Sequence, residues 1–364
     1  MLWSLSVCNL RNIRSCYLDF EPGLTIVFGA NGAGKTSLLE SIYLLGRGRS
    51  FRGRRAGEIT REGEWESFVN GCVGVDLGDV RRWIYRRRGT TGSRTVDGIP
   101  LSDSIGARFH VRLVGENAQT LFDSDGSLRR RFLDWNLFHV EPKFGPAWFR
   151  FRRVASQRNA WLRQGASGQA IWDAEFLAAA TEMDVLRRRF YQKWARAFGY
   201  LKNEFRFTAG LELSYQRGWP SDEDLFDSLL QDAEVERRLG YTRKGPGRAD
   251  FSVTRGARSA RFSRGQAKVV VCLLQLAARA VDVSTTAGES VWLLDDLGSD
   301  LDSESFSTIV RLFSDTGDQC VMTQIDAGLR DLPRQSSLFH VEQGKVRKLV
   351  PNEPRPNSYH SHPV

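Results

Sequence analysis

The run Gly29-Ala30-Asn31-Gly32-Ala33-Gly34-Lys35-Thr36 follows the apolar stretch Leu24-Thr25-Ile26-Val27-Phe28 and precedes Ser37-Leu38-Leu39-Glu40-Ser41-Ile42-Tyr43-Leu44-Leu45. The eight residues fit G-x-x-x-x-G-K-[ST], the phosphate-binding loop. The flanks predict a buried strand before it and a helix after it, a context that a chance glycine turn would lack. Glycines let backbone amides turn inward around phosphate oxygens, and a helix N-terminus adds partial positive charge. Gly29 to Ser37 are therefore candidate nucleotide contacts. Lys35 is suited to the β- and γ-phosphates, and the Thr36 hydroxyl to Mg²⁺.

At 364 residues the chain can bury a sizeable core and divide into two domains. The formal charge is +9, and arginine supplies almost all of the positive side, 44 residues against eight lysines. Guanidinium groups favour bidentate contacts with phosphates and carboxylates. The five cysteines are scattered and lack metal-ligand spacing, which predicts reduced thiols in a cytoplasmic protein. No apolar run is long enough to span a membrane, so no membrane partner is expected.

Residues 1–114 alternate like an α/β domain, with strands expected near 3–9, 15–20, 24–28, 67–76, 80–87 and 109–114. Residues 115–245 change to helical spacing, with aromatic residues recurring from Trp148 to Trp194. That stripe reads as helix-packing core rather than a base-stacking surface. From 246 to 350 the α/β pattern returns, and 351–364 reads as a flexible tail. The expectation is one ATPase domain built from both chain ends, with a mostly helical domain inserted between them.

Three further features bear on the chemistry. Val291-Trp292-Leu293-Leu294-Asp295-Asp296 is an apolar run ending in two carboxylates. It suits Asp295 as a Mg²⁺ ligand and Asp296 as the group that orients or deprotonates attacking water. Alone, it fits a buried strand entering a polar turn equally well. Phe262-Ser263-Arg264-Gly265-Gln266 lies upstream of it, and Ser263 with Gln266 predicts a capping box opening a helix. Leu297-Gly298-Ser299-Asp300-Leu301-Asp302 follows.

A phosphate loop, S-x-G-Q at a helix start, an apolar strand ending in two aspartates, then S-x-L-D: this order resembles ABC-type ATPases. The chain as a whole resembles the RecF family. The residues carrying that likeness are Asn9-Leu10-Arg11-Asn12-Ile13, Gly46-Arg47-Gly48-Arg49-Ser50-Phe51-Arg52, Arg129-Arg130-Arg131-Phe132-Leu133-Asp134-Trp135, Gln157-Arg158-Asn159-Ala160-Trp161-Leu162, Tyr241 to Asp250, Ser263 to Lys268, and Asp295 to Asp302. The resemblance implies an α/β fold, an ABC-type head with an inserted helical (α+β) domain, and a weak ATPase using ATP and Mg²⁺. It adds Arg11 and Asn12 to the nucleotide site and makes Asp296 and Lys35 catalytic. It makes Ser263, Arg264, Gly265 and Gln266 a signature that caps ATP held by a second copy, and Ser299, Asp300 and Asp302 a D-loop. It further implies an ATP-dependent homodimer acting on DNA in replication, gap repair, recombinase loading and the SOS response, with RecR- and RecO-type partners. The chain departs from the family pattern at Phe262, at Gly247 and at Gly115-Glu116-Asn117.

Two arginine clusters stand out, Arg47, Arg49, Arg52, Arg54 and Arg55, and Arg81, Arg82, Arg86, Arg87 and Arg88. The first is the candidate DNA contact, for single-stranded, duplex or junction DNA, with nucleotide as the alternative contact for Arg52. The other classes fit less well. A transporter subunit would carry LSGGQ, an SMC or Rad50-like head would carry long heptad arms at the insertion, and a small-molecule kinase would need neither S-x-G-Q nor S-x-L-D.

Overall fold

The computed structural model describes residues 1–52, 59–76, 78–101, 109–115, 118–164, 173–282, 290–325 and 336–349. The chain forms two compact units, Met1–Glu116 with Ala287–Val364, and Asn117–Thr286. The first unit opens with β1 (Leu2–Leu10), β2 (Ile13–Asp19) and β3 (Leu24–Phe28), then α1 (Lys35–Arg47). There follow β4 (Glu66–Val73), β5 (Arg81–Arg88), β6 (Thr91–Val96), β7 (Ile99–Pro100) and β8 (His110–Val114).

The second unit holds α2 (Thr120–Asp123), α3 (Gly126–Val140), α4 (Phe144–Arg163), α5 (Asp173–Leu201), β9 (Leu211–Gln216), α6 (Leu225–Leu239), β10 (Asp250–Arg255), β11 (Arg258–Ser259) and α7 (Arg264–Val281). The chain then returns to the first unit as β12 (Ser290–Leu294), α8 (Ser303–Ser314), β13 (Gln319–Gln324), β14 (Ser337–Glu342) and β15 (Lys345–Leu349).

In the first unit a six-stranded sheet runs β15-β14-β3-β13-β12-β8. All its neighbours are parallel except the β14–β15 hairpin. β3 and β12 are buried along their full length, as continuous Leu/Ile/Val runs in a parallel sheet require. A second, antiparallel sheet runs β2-β1-β4-β5-β6-β7. α1 lies between the two, packed on β4, β1 and β5 from one and on β8 and β13 from the other. Leu38, Leu39, Ile42, Leu44 and Leu45 bury its length. Parallel α/β sheets bind ligands at the carboxyl ends of their strands, and the phosphate loop and Asp295-Asp296 leave β3 and β12 at that edge.

The second unit has an aromatic core in which Trp194 meets Phe251 at 5.0 Å, Phe190 at 5.6 Å and Phe132 at 6.0 Å between ring centroids. Trp194, Phe198, Phe176 and Phe151 are buried, as expected of a packing stripe, whereas Phe149 lies on the exterior. The sequence-based boundary at 245 falls inside this unit. β10 pairs with β9, and α7 packs along α5, where the Trp194 indole N–H donates to the Leu274 carbonyl at 2.9 Å. The helical stretch also contains one strand the periodicity did not announce, β9, whose partner β10 lies far along the sequence. Arg54, Arg55, Glu116, Asn117 and the tail 351–364 lie outside the described residues.

Candidate nucleotide site

The loop after β3 turns through positive φ at Gly29 (155°), Gly32 (76°) and Gly34 (122°). α1 begins at Lys35 with no side chain capping its first amides, which leaves those donors for an anion. Gly29 also has no room for a side chain, since a Cβ there would stand 2.1 Å from the Val341 carbonyl oxygen. The Lys35 ammonium donates to the Gly29 and Ala30 carbonyls at 2.7 and 2.9 Å, so it lies back across the loop it serves. Burial lowers its pKa, and the charges of Asp296 and Asp295 oppose that shift.

Asp295 leaves the end of β12 buried. Its Oδ1 accepts from the Thr36 hydroxyl at 3.1 Å and from the Thr323 hydroxyl at 2.8 Å. Burial raises its pKa, while those two hydroxyls and the Arg52 guanidinium act the other way. Asp296 has left-handed backbone, φ 50° and ψ 48°, unusual for a residue with a side chain. Its N–H donates to Thr323 Oγ1 at 2.8 Å. Thr323 thus ties both aspartates to the end of β13. The sequence reading did not single it out, although a hydroxyl ending an apolar strand was a visible signal. Together with Asn31, Gly32, Gly34, Lys35, Thr36, Ser37, Arg11, Asn12 and Arg52, the two aspartates and Thr323 line a cleft of about 430 Å³.

The residues fit a nucleotide and a hard cation. The loop offers amides and an ammonium for phosphates, and Thr36 Oγ1 with Asp295 Oδ1 is the hydroxyl–carboxylate pair that suits Mg²⁺. Lys35, Thr36, Asp295 and Asp296, predicted separately from two distant stretches, are brought together.

In the second unit Ser263 caps α7. Its Oγ accepts from the Gln266 N–H at 3.3 Å, and Gln266 Oε1 accepts from the Ser263 N–H at 3.2 Å. The predicted capping box is present, and Ser263 and Arg264 are exposed. Ser299 and Asp300 are also exposed, and Asp302 is the N-cap of α8, accepting from the Ser305 N–H at 2.8 Å.

The family model of the RecF/RecN/SMC N terminal domain matches residues 1–346. The DNA replication and repair protein RecF of Pseudomonas aeruginosa (strain LESB58) is 36% identical over 363 residues, covering 96% of this chain and 98% of that protein. The chain belongs to the RecF family. The RecF of Pseudomonas putida (strain W619) is 34% identical over 94% of this chain. Among solved structures, the recombination mediator RecF with ATP aligns at TM-score 0.81 and 23% identity, covering 96% of this chain and 97% of that one. An Smc head bound to the C-winged helix domain of ScpA aligns at TM-score 0.57 and 12% identity over 96% of this chain. Both structural likenesses speak for the ABC-type head fold.

Several RecF-like motifs prove to be internal ties. Arg11 forks onto the fully buried Glu40 of α1, Nε to Oε2 at 2.9 Å and Nη2 to Oε1 at 2.8 Å. Beside it, Asn12 Nδ2 donates to the Gly32 and Ala33 carbonyls at 3.2 and 3.0 Å. The Ser50 hydroxyl also donates to Glu40, and in turn accepts from the Arg52 N–H at 3.0 Å. Glu40 therefore braces both the hairpin that touches the phosphate loop and the segment carrying Arg52.

In the helical unit Arg129 forks onto Asp250, both bonds at 2.8 Å, and Arg187 onto Asp134, both at 2.9 Å. Arg158 spans Asp173 at 2.8 Å, Glu236 at 2.7 Å and Thr242 at 2.7 Å. These are structural clips, formed where the chain is too buried to leave a charge alone. Of the arginines expected on DNA, Arg47 is half-buried with its pKa lowered by burial, Arg49 is exposed, and Arg52 lines the nucleotide cleft. In the second cluster Arg87 is buried on the inner face of β5, and Arg86 and Arg88 pair with Glu66 at 2.8 and 3.2 Å.

Proposed function

We propose that this chain is an ATP-driven DNA-repair protein of the RecF type, hydrolysing ATP slowly as a switch that closes two copies on DNA. The observation that carries the reading is the convergence of Lys35, Thr36, Asp295, Asp296 and Thr323 on one cleft, on a chain whose exposed S-x-G-Q helix start lies in its other compact unit. Gly29, Ala30, Asn31, Gly32, Ala33, Gly34 and Ser37 would hold the phosphates through backbone amides, and Thr36 and Asp295 the Mg²⁺. Bound there, Mg²⁺ would neutralise charge on the β- and γ-phosphates. Lys35 exchanges its two loop carbonyls for phosphate oxygens. Asp296, fixed in left-handed backbone by the Thr323 hydroxyl, aims its carboxylate as water-orienting base. Asn12 steadies the loop, and Arg52 joins the cleft as a cation near Asp295. Ser263 to Gln266 of one copy would cap the nucleotide of the other, giving a two-fold dimer, with Ser299 and Asp300 also on its seam. The relatives' name as DNA replication and repair proteins, and that of the solved RecF as a recombination mediator in the RecFOR pathway, support recombinational gap repair with RecO- and RecR-type partners, and a cytoplasmic location goes with that reading.

Light scattering with and without ATP tests this. Mass should double with ATP, the doubled state should persist in Asp296→Asn, and Ser263→Arg should bind ATP without doubling. A monomer under every condition overturns the two-headed mechanism.

A further inference from the structure

The excess charge of the chain is confined to one unit. Between Asn117 and Thr286 there are 28 lysines and arginines against 19 aspartates and glutamates, and the rest of the chain carries 24 of each. The whole of the +9 therefore resides in the helical unit, and the first unit, which holds the arginine-rich stretches around Arg49 and Arg86, is balanced.

Within that unit the charge has a focus. α5 buries Leu186, Arg187, Phe190, Trp194 and Phe198. The opposite side presents Arg189, Lys193, Arg196 and Tyr200, all exposed, Tyr200 at 73%. They stand at i, i+4, i+7 and i+11, so they form one straight stripe, about 16 Å long at 1.5 Å per residue. From Arg189 to Tyr200 the stripe holds no carboxylate. The neighbouring Arg188 is paired with Asp184 at 3.4 Å, and upstream on the same face Glu182 meets Arg150 at 3.5 Å. Among the described residues no such partner reaches Arg189, Lys193 or Arg196. Like charges a turn apart weaken a helix, and none of the three lies in the last turn, where they would complement the helix dipole. The arrangement is mildly unfavourable to the isolated helix and would be relieved by an anion.

We infer that the α5 stripe is a docking surface for the sugar-phosphate backbone of duplex DNA, with Arg189, Lys193 and Arg196 neutralising phosphates and Tyr200 packing beside them. This rests on the DNA-binding reading above and moves the contact from the Arg47–Arg55 segment to the helical unit. Duplex DNA carries a charge about every 1.7 Å of axis, so a stripe of this length meets several phosphates without reading sequence.

The test compares duplex affinity from 50 to 200 mM salt for the full-length wild type and for a triple variant, Arg189→Gln, Lys193→Gln and Arg196→Gln, with ATP present. Each phosphate contact contributes about 0.9 to the slope of log K against log salt. The variant should lose about 2.7 from that slope, so that the wild type weakens about 40-fold more than the variant across the range. Tyr200→Ala should lower affinity and leave the slope alone. A control, Arg237→Gln with Arg238→Gln on α6, should keep the wild-type slope. The melting transition of the helical unit, read by calorimetry, should be equal in all, which shows that the variants are folded. If the wild type binds duplex and the triple variant keeps its affinity and slope, the surface is not the DNA contact and an acidic protein is the better occupant. If the wild type itself binds no duplex, it is the DNA-repair reading that fails.

Discussion

Replacing Glu40 by glutamine should unsettle the first unit although residue 40 makes no part of the cleft wall. Its carboxylate is fully buried and takes three bonds, two from Arg11 and one from Ser50. Glutamine keeps the volume and one acceptor oxygen but removes the charge opposite a guanidinium that is itself only 13% exposed. Breaking a buried pair from one side costs about 3–5 kcal/mol, and the acceptor oxygen that glutamine keeps for Arg11 favours the lower end. For a unit of this size each kcal/mol shifts melting by about 2–4 °C, which gives a fall of about 6–12 °C. Calorimetry reads this directly, with the transition of the first unit identified by its rise when ATP is added. ATP affinity should fall as well, because Arg11 no longer fixes Asn12 against Gly32 and Ala33. The double change Glu40→Leu with Arg11→Met should recover much of the melting temperature, since an apolar pair leaves no stranded charge, but not the ATP affinity. A Glu40→Gln protein that melts within 2 °C of wild type, set against the ~6–12 °C expected, would refute the bracing role.

Gly29→Ala should cost at least tenfold in ATP affinity by titration with a fluorescent analogue, because its Cβ would meet the Val341 carbonyl at 2.1 Å; unchanged affinity would mean the loop has more freedom than its geometry allows. Asp295→Asn should abolish Mg²⁺-dependent hydrolysis yet raise the melting temperature at pH 8. Burial lifts the Asp295 pKa, so the folded state holds that proton more tightly than the unfolded chain. Its charged form therefore subtracts stability above the raised value, and stability returns as pH falls through it; a variant that melts lower at pH 8 would contradict this. Ser263→Ala should cost the helical unit about 1 kcal/mol through loss of the α7 cap, a shift calorimetry resolves, and an unshifted transition would show that Gln266 holds the helix start alone.

Much of the site was legible because its parts are local. The glycine loop, its flanking strand and helix, and the aspartates after β12 each declare themselves within ten residues, and the capping box does so within four. What escaped was contributed by residues whose partners are distant. Thr323 acquires its role only when β13 settles between β3 and β12. Glu40 reads as an ordinary polar position on a helix until the second sheet covers α1 and encloses it. Arg158, in the Gln157–Leu162 segment, has no partner near it in sequence, and only its burial against Glu236 and Asp173 reveals it as a clip. The strand β6, Thr-Gly-Ser-Arg-Thr-Val, lacks apolar alternation and depends on pairing with β5. The domain boundary was misplaced for a related reason. Composition shifts at residue 245, whereas packing continues through α7.

The strand order also governs when the nucleotide site can come into being. β3, which leads into the phosphate loop, has β13 and β14 as its two neighbours, and β8 waits for β12 across the whole helical unit. A chain emerging from the ribosome can close the antiparallel sheet early, since β1, β2, β4 and β5 are near in sequence, but β3 has nothing to pair with until residues 319–342 are made. Long-range parallel pairing is slow and leaves apolar edges open meanwhile. A prematurely ended chain would therefore carry a folded antiparallel sheet beside an unfinished nucleotide cleft. Nucleotide binding is in effect a proof that synthesis reached β14.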